Sequence, residues 1–398
     1  MLNFHFFAYA ALGSGLSGGD RIFIELSRRW SLKFPVTIYL WKEGYKICGK
    51  QNLTDSDVNF KVSSMEPWWR MGFYINYLAR IIQGIVTGLS IKLVNKPQTI
   101  IYSASEFWMD SLPSFILKLR FKKISWVAAW YQTAPNPLKG FSQNNRKEKY
   151  HLNAFFYWLM QLPAKKIISK FADFVVVNNE DEKKQFPELN KKSKVLVCLG
   201  AVDTTSIKQY RKEHGVAKKK YDGVFQGRFH PQKGVLELID IWKQLILKKP
   251  SATLAMIGDG PLMQKVSAKI KKEKLQKNIK LFGYVFDGKK KYQIFSQSKL
   301  VLHPAFYDSG GMAAAEAMAF GLPGVCFDLP SLKGYYPKGM LKAKVENLDD
   351  FKKKILLLLT DKPLYNKIAL ESKKVIQNYW SWDKRAVQIL SSLKTFKS

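Results

Sequence analysis

The sequence predicts an α/β protein built from two parallel-sheet domains, and three observations carry that expectation. Short apolar runs alternate with stretches of helical period along the chain, the order expected when crossover helices join the strands of a parallel sheet. Glycine-rich loops stand at strand-to-helix junctions in both halves. The length of 398 residues exceeds one ordinary core and, at roughly 150 residues per domain, suits two or three. The natural cut follows Asp203, where residues 204–220 turn polar and lysine-rich. The expected domains are therefore 1–203 and 204–379.

In the amino-terminal half, Leu2 to Tyr9 forms an apolar strand, residues 13–20 a glycine loop, Arg21 to Trp30 an amphipathic helix and Val36 to Trp41 a second strand. Gly13, Gly15 and Gly18 spell G-x-G-x-x-G, and Glu43 lies just past the second strand where a ribose-binding acid would stand. A nicotinamide-dependent oxidoreductase using the Gly13–Gly18 loop is thus one candidate class. Two aromatic, apolar stretches follow. Residues 68–74 lead into Ile75 to Val94, and Phe155 to Met160 lies just before Lys165. Arg80, Gln83, Gly84 and Gly88 interrupt the first and Pro163 is expected to cut the second short, so neither is expected to span a bilayer.

In the carboxyl-terminal half, the strand Tyr221 to Gln226 runs through Gly227-Arg228-Phe229-His230-Pro231-Gln232-Lys233-Gly234 into a helix over Val235 to Leu247. An arginine and a lysine five apart on such a loop offer a fork donor and a point charge to a diphosphate. Glycine turns at Ile257-Gly258-Asp259-Gly260-Pro261 and at Leu281 to Val285 come next. Residues 308–316, Asp-Ser-Gly-Gly-Met-Ala-Ala-Ala-Glu, then set two carboxylates across a glycine turn that opens a helix, between the strands 299–304 and Gly324 to Asp328. Gly310 and Gly311 let backbone amides approach an anion where the helix begins near Met312, and Glu316 and Asp308 can accept hydrogen bonds from sugar hydroxyls.

Taken in order, these segments resemble the family-4 retaining glycosyltransferases of the GT-B fold, the glycosyl transferases group 1. Asp308 to Glu316 is similar to the family's E-x7-E element, with aspartate in place of the usual first glutamate, so its reach to a donor sugar is shorter. The resemblance implies that Gly227, Arg228 and Lys233 hold the nucleotide diphosphate, that Gly258 belongs to the G-x-G-P turn, and that Asp308, Ser309, Gly310, Gly311, Met312 and Glu316 complete the donor site. It implies catalytic roles for Arg228, Lys233, Asp308 and Glu316. Gly18-Gly19-Asp20 resembles the family's Gly-Gly loop beside donor phosphates and acceptor. Residues 171–179 look like its A-D-x-V strand, and Leu199-Gly200-Ala201-Val202-Asp203 like its N-G-V-D segment with leucine for asparagine. Residues 380–383 resemble the start of a terminal helix, 380–398, that completes the first domain. Many members carry a histidine after the strand Ile124 to Trp130. Here Tyr131 and Gln132 stand there, and an acceptor-side role would fall to one of them. The implied fold is two Rossmann-like domains facing across a deep cleft, the first binding acceptor and the second nucleotide sugar.

Composition bounds the partners. The formal net charge is +34, and both halves are cationic. Basic runs such as Lys118 to Lys123 and Lys165-Lys166 flank the aromatic stretches, an interfacial pattern. An anionic membrane surface, a phosphorylated or lipid-linked acceptor, or a noncatalytic role as an anionic-lipid or polyanion binder all fit that charge. No nucleic-acid module is recognisable, so no nucleic acid is expected. Cys48, Cys198 and Cys326 are far apart, the five histidines are isolated, and neither a disulfide framework nor metal-ligand spacing results. No metal or cofactor is expected beyond a UDP- or GDP-linked sugar as substrate. Met1 leads straight into a strand without a signal-peptide pattern, so a cytoplasmic protein peripheral to the inner face of the membrane is expected.

Overall fold

Each half of the chain builds its own parallel sheet. The computed structural model describes residues 1–11, 16–63, 71–137, 152–308 and 311–395. The chain leaves its first compact unit between Gly200 and Ala201 and returns to it between Ser381 and Trp382. Val202 forms an isolated parallel bridge with Ser381 and donates its amide to Trp380 O at 3.2 Å, so the outgoing and returning strands of chain lie side by side.

The first unit runs β1 (Asn3–Phe7), α1 (Gly18–Ser31), β2 (Val36–Trp41), α2 (Lys42–Lys50), β3 (Val58–Ser63), α3 (Phe73–Ser90), β4 (Thr99–Ser103), α4 (Trp108–Arg120), β5 (Ser125–Trp130), α5 (Leu152–Phe171), β6 (Phe174–Val177), α6 (Pro187–Lys191) and β7 (Val195–Val197). Its strand order is β3-β2-β1-β4-β5-β6-β7 with parallel pairs throughout. Every residue of β4 and β6 is buried, as expected of strands covered on both faces.

The second unit runs α7 (Thr204–His214), β8 (Tyr221–Gln226), α8 (Val235–Ile246), β9 (Leu254–Ile257), α9 (Met263–Lys272), β10 (Ile279–Leu281), α10 (Lys289–Ser296), β11 (Ser298–His303), α11 (Met312–Met318), β12 (Gly324–Phe327), α12 (Pro330–Tyr335), β13 (Met340–Ala343), α13 (Leu348–Thr360) and α14 (Lys362–Tyr379). Its sheet, β10-β9-β8-β11-β12-β13, is also parallel. The last helix, α15 (Trp382–Thr395), belongs to the first unit. It is fastened to α1, where Trp30 Nε1 donates to Ala386 O at 3.1 Å and Arg29 Nε to Asp383 Oδ1 at 2.6 Å.

Both apolar stretches of the first half are helices, and one expectation about them is corrected. Pro163 does not end the second: α5 continues through it to Phe171. A proline lacks one backbone donor, but burial of Gln161, Ala164 and Ile168 around it anchors the helix on both sides. In α3, Gly84 and Gly88 face α4 so closely that a Cβ would lie 2.7 Å from Met109 O and 3.0 Å from Pro113 Cα. No described helix is long and apolar enough to cross a membrane.

Arg80, an interruption in the sequence pattern, is the most buried part of α3. Its guanidinium lies 4.3 Å over the Trp41 ring, donates to Tyr9 O at 2.5 Å and Asn76 Oδ1 at 2.8 Å, and forms an ion pair with Glu43. Burial lowers its pKa and Glu43 opposes that shift, so the pair keeps the charge in place. Arg80 is buried and Glu43 half-buried, so removing the guanidinium chiefly leaves the buried Tyr9 carbonyl without its donor, at about 2 kcal/mol. Arg80→Leu should lower the stability measured by urea unfolding by about that amount. An unchanged midpoint would mean that the pair does not hold α3 to the sheet.

Candidate active site

In the second sheet the chain direction of winding reverses between β8 and β11: β9 and β10 extend to one side, β12 and β13 to the other. Loops leaving the carboxyl ends of two such neighbours diverge and open a crevice, the usual ligand position in an open α/β sheet. The loop after β8 carries Gly227, Arg228 and Lys233, and the loop after β11 carries Asp308 and Gly311. The two are tied together, since Phe306 N donates to Gln232 O at 2.8 Å. Glycine is required where they meet. Gly234 has φ +65°, and a Cβ there would sit 2.0 Å from Pro304 O; Gly258 has φ +148°, and a Cβ would sit 1.9 Å from Gly227 O.

The structure brings together residues far apart in sequence. Lys233 Nζ donates to Asp308 Oδ2 at 2.6 Å, His303 Nε2 donates to the same oxygen at 2.8 Å, and Gly311 N donates to Oδ1 at 3.0 Å. Burial by itself would raise the Asp308 carboxyl, but Lys233 and His303 outweigh it and hold the group well below the usual carboxylate range. Ser331 Oγ donates to Asp308 O at 2.5 Å, and Tyr336 to Gly311 O, so α12 and the residue after it brace the loop. Glu316, on α11 behind Met312, accepts from Gln226 Nε2 at 2.8 Å and pairs with Lys291. Lys291 is buried and also pairs with Asp287 at 2.6 Å. Arg228 is exposed and makes no ion pair among the described residues.

Two of the expected site residues have partners within the protein. The Gly311 amide, expected to face a bound anion, is satisfied by Asp308. Lys233, expected to meet a diphosphate, rests on Asp308 in the ligand-free protein. Ser309 and Gly310 lie outside the described residues. His303 and Lys291 were missed as site residues; the spacing Asp287 to Lys291, one helical turn, was the available signal for the second.

The first unit has its own reversal, between β1 and β4. Gly18 and Gly19 open α1 behind a capping box in which Ser17 Oγ accepts from Asp20 N and Asp20 Oδ2 from Ser17 N. Gly13 and Gly15 lie outside the described residues. A Cβ on Gly19 would lie 3.0 Å from the Tyr131 ring, so Gly19 and Tyr131 are packed together. At Tyr131, for which an acceptor-side role was expected, the hydroxyl is buried and bonded to that of Tyr102 at 2.9 Å, and burial raises its pKa well above the usual value. Gln132 uses its carbonyl to accept from Gln161 Nε2 at 2.9 Å. Nearby are two buried acids that sequence inspection passed over. Glu106 accepts from Tyr157 Oη at 2.6 Å, and Asp110 accepts from Ser105 Oγ at 2.5 Å and Ala10 N at 3.1 Å. Glu43, the acid suggested for a dinucleotide ribose, is held by Arg80. Among the described residues no group of three or more His, Cys, Asp or Glu could hold a metal ion.

Residues 206–375 match the family described as glycosyl transferases group 1. An uncharacterized glycosyltransferase of Methanocaldococcus jannaschii is 24% identical over 58% of this chain and 56% of its own length. A poly(glycerol-phosphate) alpha-glucosyltransferase of Bacillus subtilis is 23% identical over 41% of this chain and 24% of its own. The chain spans about half the length of the first curated relatives it matches. Among solved structures, Anabaena Alr3699/HepE in complex with UDP and glucose superposes with a TM-score of 0.71 at 16% identity, covering 99% of this chain and 100% of that one. The fold is GT-B, with two Rossmann-like units.

The buried Asp110 carboxyl is pushed up to about 8, chiefly by burial. Unfolded, it titrates near 4. Between about pH 4 and 8 the folded state therefore binds the extra proton, and the stability this group contributes at low pH is lost as pH rises through that window. Wild type should lose stability relative to Asp110→Asn by about 1 kcal/mol per pH unit from pH 5 to 8 in parallel denaturant titrations. A pH-independent difference would contradict the buried, protonated acid.

Proposed function

We propose that this chain is a retaining glycosyltransferase that moves a hexose from a nucleoside-diphosphate sugar to a lipid-linked sugar or polyprenyl-phosphate acceptor at the inner face of the membrane. The observation that carries this reading is the pair of anchored carboxylates in the second unit, Asp308 on Lys233 and His303, and Glu316 on Lys291 and Gln226. Each is fixed by donors within the protein and retains acceptor capacity for ligand hydroxyls. The second unit holds the donor and the first the acceptor. UDP is the favoured nucleotide, because a relative of the same fold is described in complex with UDP and glucose. The phosphate-polymer glycosyltransferases among the relatives support an acidic acceptor for so basic a chain.

Glycosyl transfer from such a donor places growing negative charge on the departing diphosphate. Arg228 offers two parallel donors to it, and Lys233, once a donor phosphate competes with Asp308, offers a point charge; both act more strongly on the transition state than on the bound donor. Retention is what the Asp308–Glu316 resemblance implies. With those cations doing the neutralising, no metal is needed. Glu43 would be the ribose ligand of a nicotinamide enzyme, and its engagement by Arg80 favours the transferase over that alternative.

Arg228→Ala and Lys233→Ala should each lower the transfer rate at saturating donor at least a hundredfold, followed as nucleoside diphosphate release with EDTA present. Wild-type rates in both variants would remove the diphosphate from this loop. Glu316→Gln should weaken binding of the free nucleoside diphosphate about tenfold in calorimetry, since a carboxylate-to-ribose hydrogen bond is lost. Asp308→Asn should leave that affinity nearly unchanged and blur discrimination among donor sugars. The reverse pattern would exchange the two roles.

A further inference from the structure

The helix α3 is inside out for a soluble protein. Its buried face holds Arg80, Thr87, Gly84 and Gly88 beside Tyr77 and Ala79, while Tyr74, Leu78, Ile82, Val86 and Leu89 stand at helical spacing on the solvent face, each between 46% and 58% exposed. A helix on a water-facing surface places its apolar stripe on the core and charge outside; here the one charged side chain of the helix is inside and none is outside. The two glycines allow this, because they let α3 sit against α4 with its small side, which leaves the bulky side chains of the opposite side in solvent. The stripe continues sideways onto α5, whose Phe156 meets Tyr74 edge-on at 5.6 Å and whose Leu159 and Leu162 are also exposed.

Beyond the end of α3 the surface becomes basic. Lys92, Lys96, Lys122 and Lys123 are exposed there. Arg120 donates to Gly88 O at 2.6 Å and Ile91 O at 3.0 Å, and Lys123 N to Asn95 Oδ1 at 2.9 Å, which fastens the basic end of α4 beside the end of the stripe. An apolar strip bordered by lysines matches the boundary between acyl chains and anionic headgroups. A second copy of the chain fits less well, since two surfaces with the same basic border on chains of net charge +34 repel.

We propose that the outward face of α3, continued by α5 and bordered by these lysines, is the surface by which the chain docks on an anionic membrane. This rests on the membrane-surface reading above and assigns it to one face of the apolar stretches that the sequence marked as interfacial; of those, Trp68 and Trp69 lie outside the described residues. The helix lies flat, burying its stripe among the headgroups without crossing.

The test uses the full chain with vesicles of phosphatidylcholine alone and with added phosphatidylglycerol. Wild type should cosediment with the anionic vesicles and bind at least tenfold more weakly to the neutral ones or at 1 M salt, where the screening length falls to about 3 Å. The triple variant Leu78→Glu, Ile82→Glu, Val86→Glu should lose at least tenfold in binding while its calorimetric affinity for UDP stays at the wild-type value. Ile82→Cys labelled with an environment-sensitive dye gives a second reading that needs no destabilising charge, and all three native cysteines are buried. Its emission should shift to the blue on anionic vesicles. Unchanged vesicle binding by the triple variant, no shift of the dye, or a concentration-dependent dimer in light scattering that the triple variant abolishes would each overturn the proposal. Failure of the transferase reading is separate: it would appear as vesicle binding intact with neither UDP affinity nor sugar transfer.

Discussion

A carboxylate sealed from water stays charged only where cations and donors replace its hydration, and that requirement organises the second unit. Asp308 meets it with Lys233, His303 and the Gly311 amide, which obliges the loop after β8, the end of β11 and the first turn of α11 to converge within hydrogen-bonding distance. Glu316 meets it with Lys291 and Gln226, drawing in α10 and the end of β8. Losing Lys233 or Lys291 would leave a buried carboxylate with weaker compensation, so the cluster resists drift. Gly234 and Gly258 belong to the same constraint, because the convergence leaves no room for a Cβ against Pro304 O or Gly227 O.

The first unit answers the same requirement in two ways. Arg80 is kept charged by Glu43, Trp41 and the Tyr9 carbonyl, whereas Asp110 surrenders its charge and is held near pH 8 by burial. The difference follows from the partners: a guanidinium can share a carboxylate, while Asp110 has a hydroxyl and an amide and no cation among its hydrogen bonds. Arg80 also fixes the orientation of α3. With its charge drawn inward and two glycines against α4, the helix carries Leu78, Ile82, Val86 and Leu89 outside, so a packing decision in the core produces the apolar surface.

Much of this was legible in the sequence because it is local. The strands Val36 to Trp41 and Tyr221 to Gln226 match the structure to the residue, the first marked by β-branched and aromatic residues and the second by the glycine loop that ends it. The order of glycine loops, with Arg228, Lys233, Asp308 and Glu316 at their places, pointed to the family. Pairings across the fold were not legible: nothing in the residues near Lys233 announces Asp308, and Lys291 is hidden in a run of three lysines of which only the last is buried. The partner of Tyr131 was hidden for a related reason, because a strand-end aromatic looks the same in sequence whether or not its hydroxyl faces Tyr102. Hydropathy likewise marked residues 75–94 as an apolar stretch without disclosing that Gly84 and Gly88 would face inward while Leu78, Ile82, Val86 and Leu89 face solvent.

The central claim is that the anchored carboxylates receive a nucleoside-diphosphate sugar, and thermal unfolding with UDP, GDP, ADP or NAD tests it most directly. A ligand at a hundred times its dissociation constant adds about 2.7 kcal/mol to the folded state. The account predicts a raised Tm with a nucleoside diphosphate, UDP foremost, and none with NAD. A rise with NAD alone would contradict it.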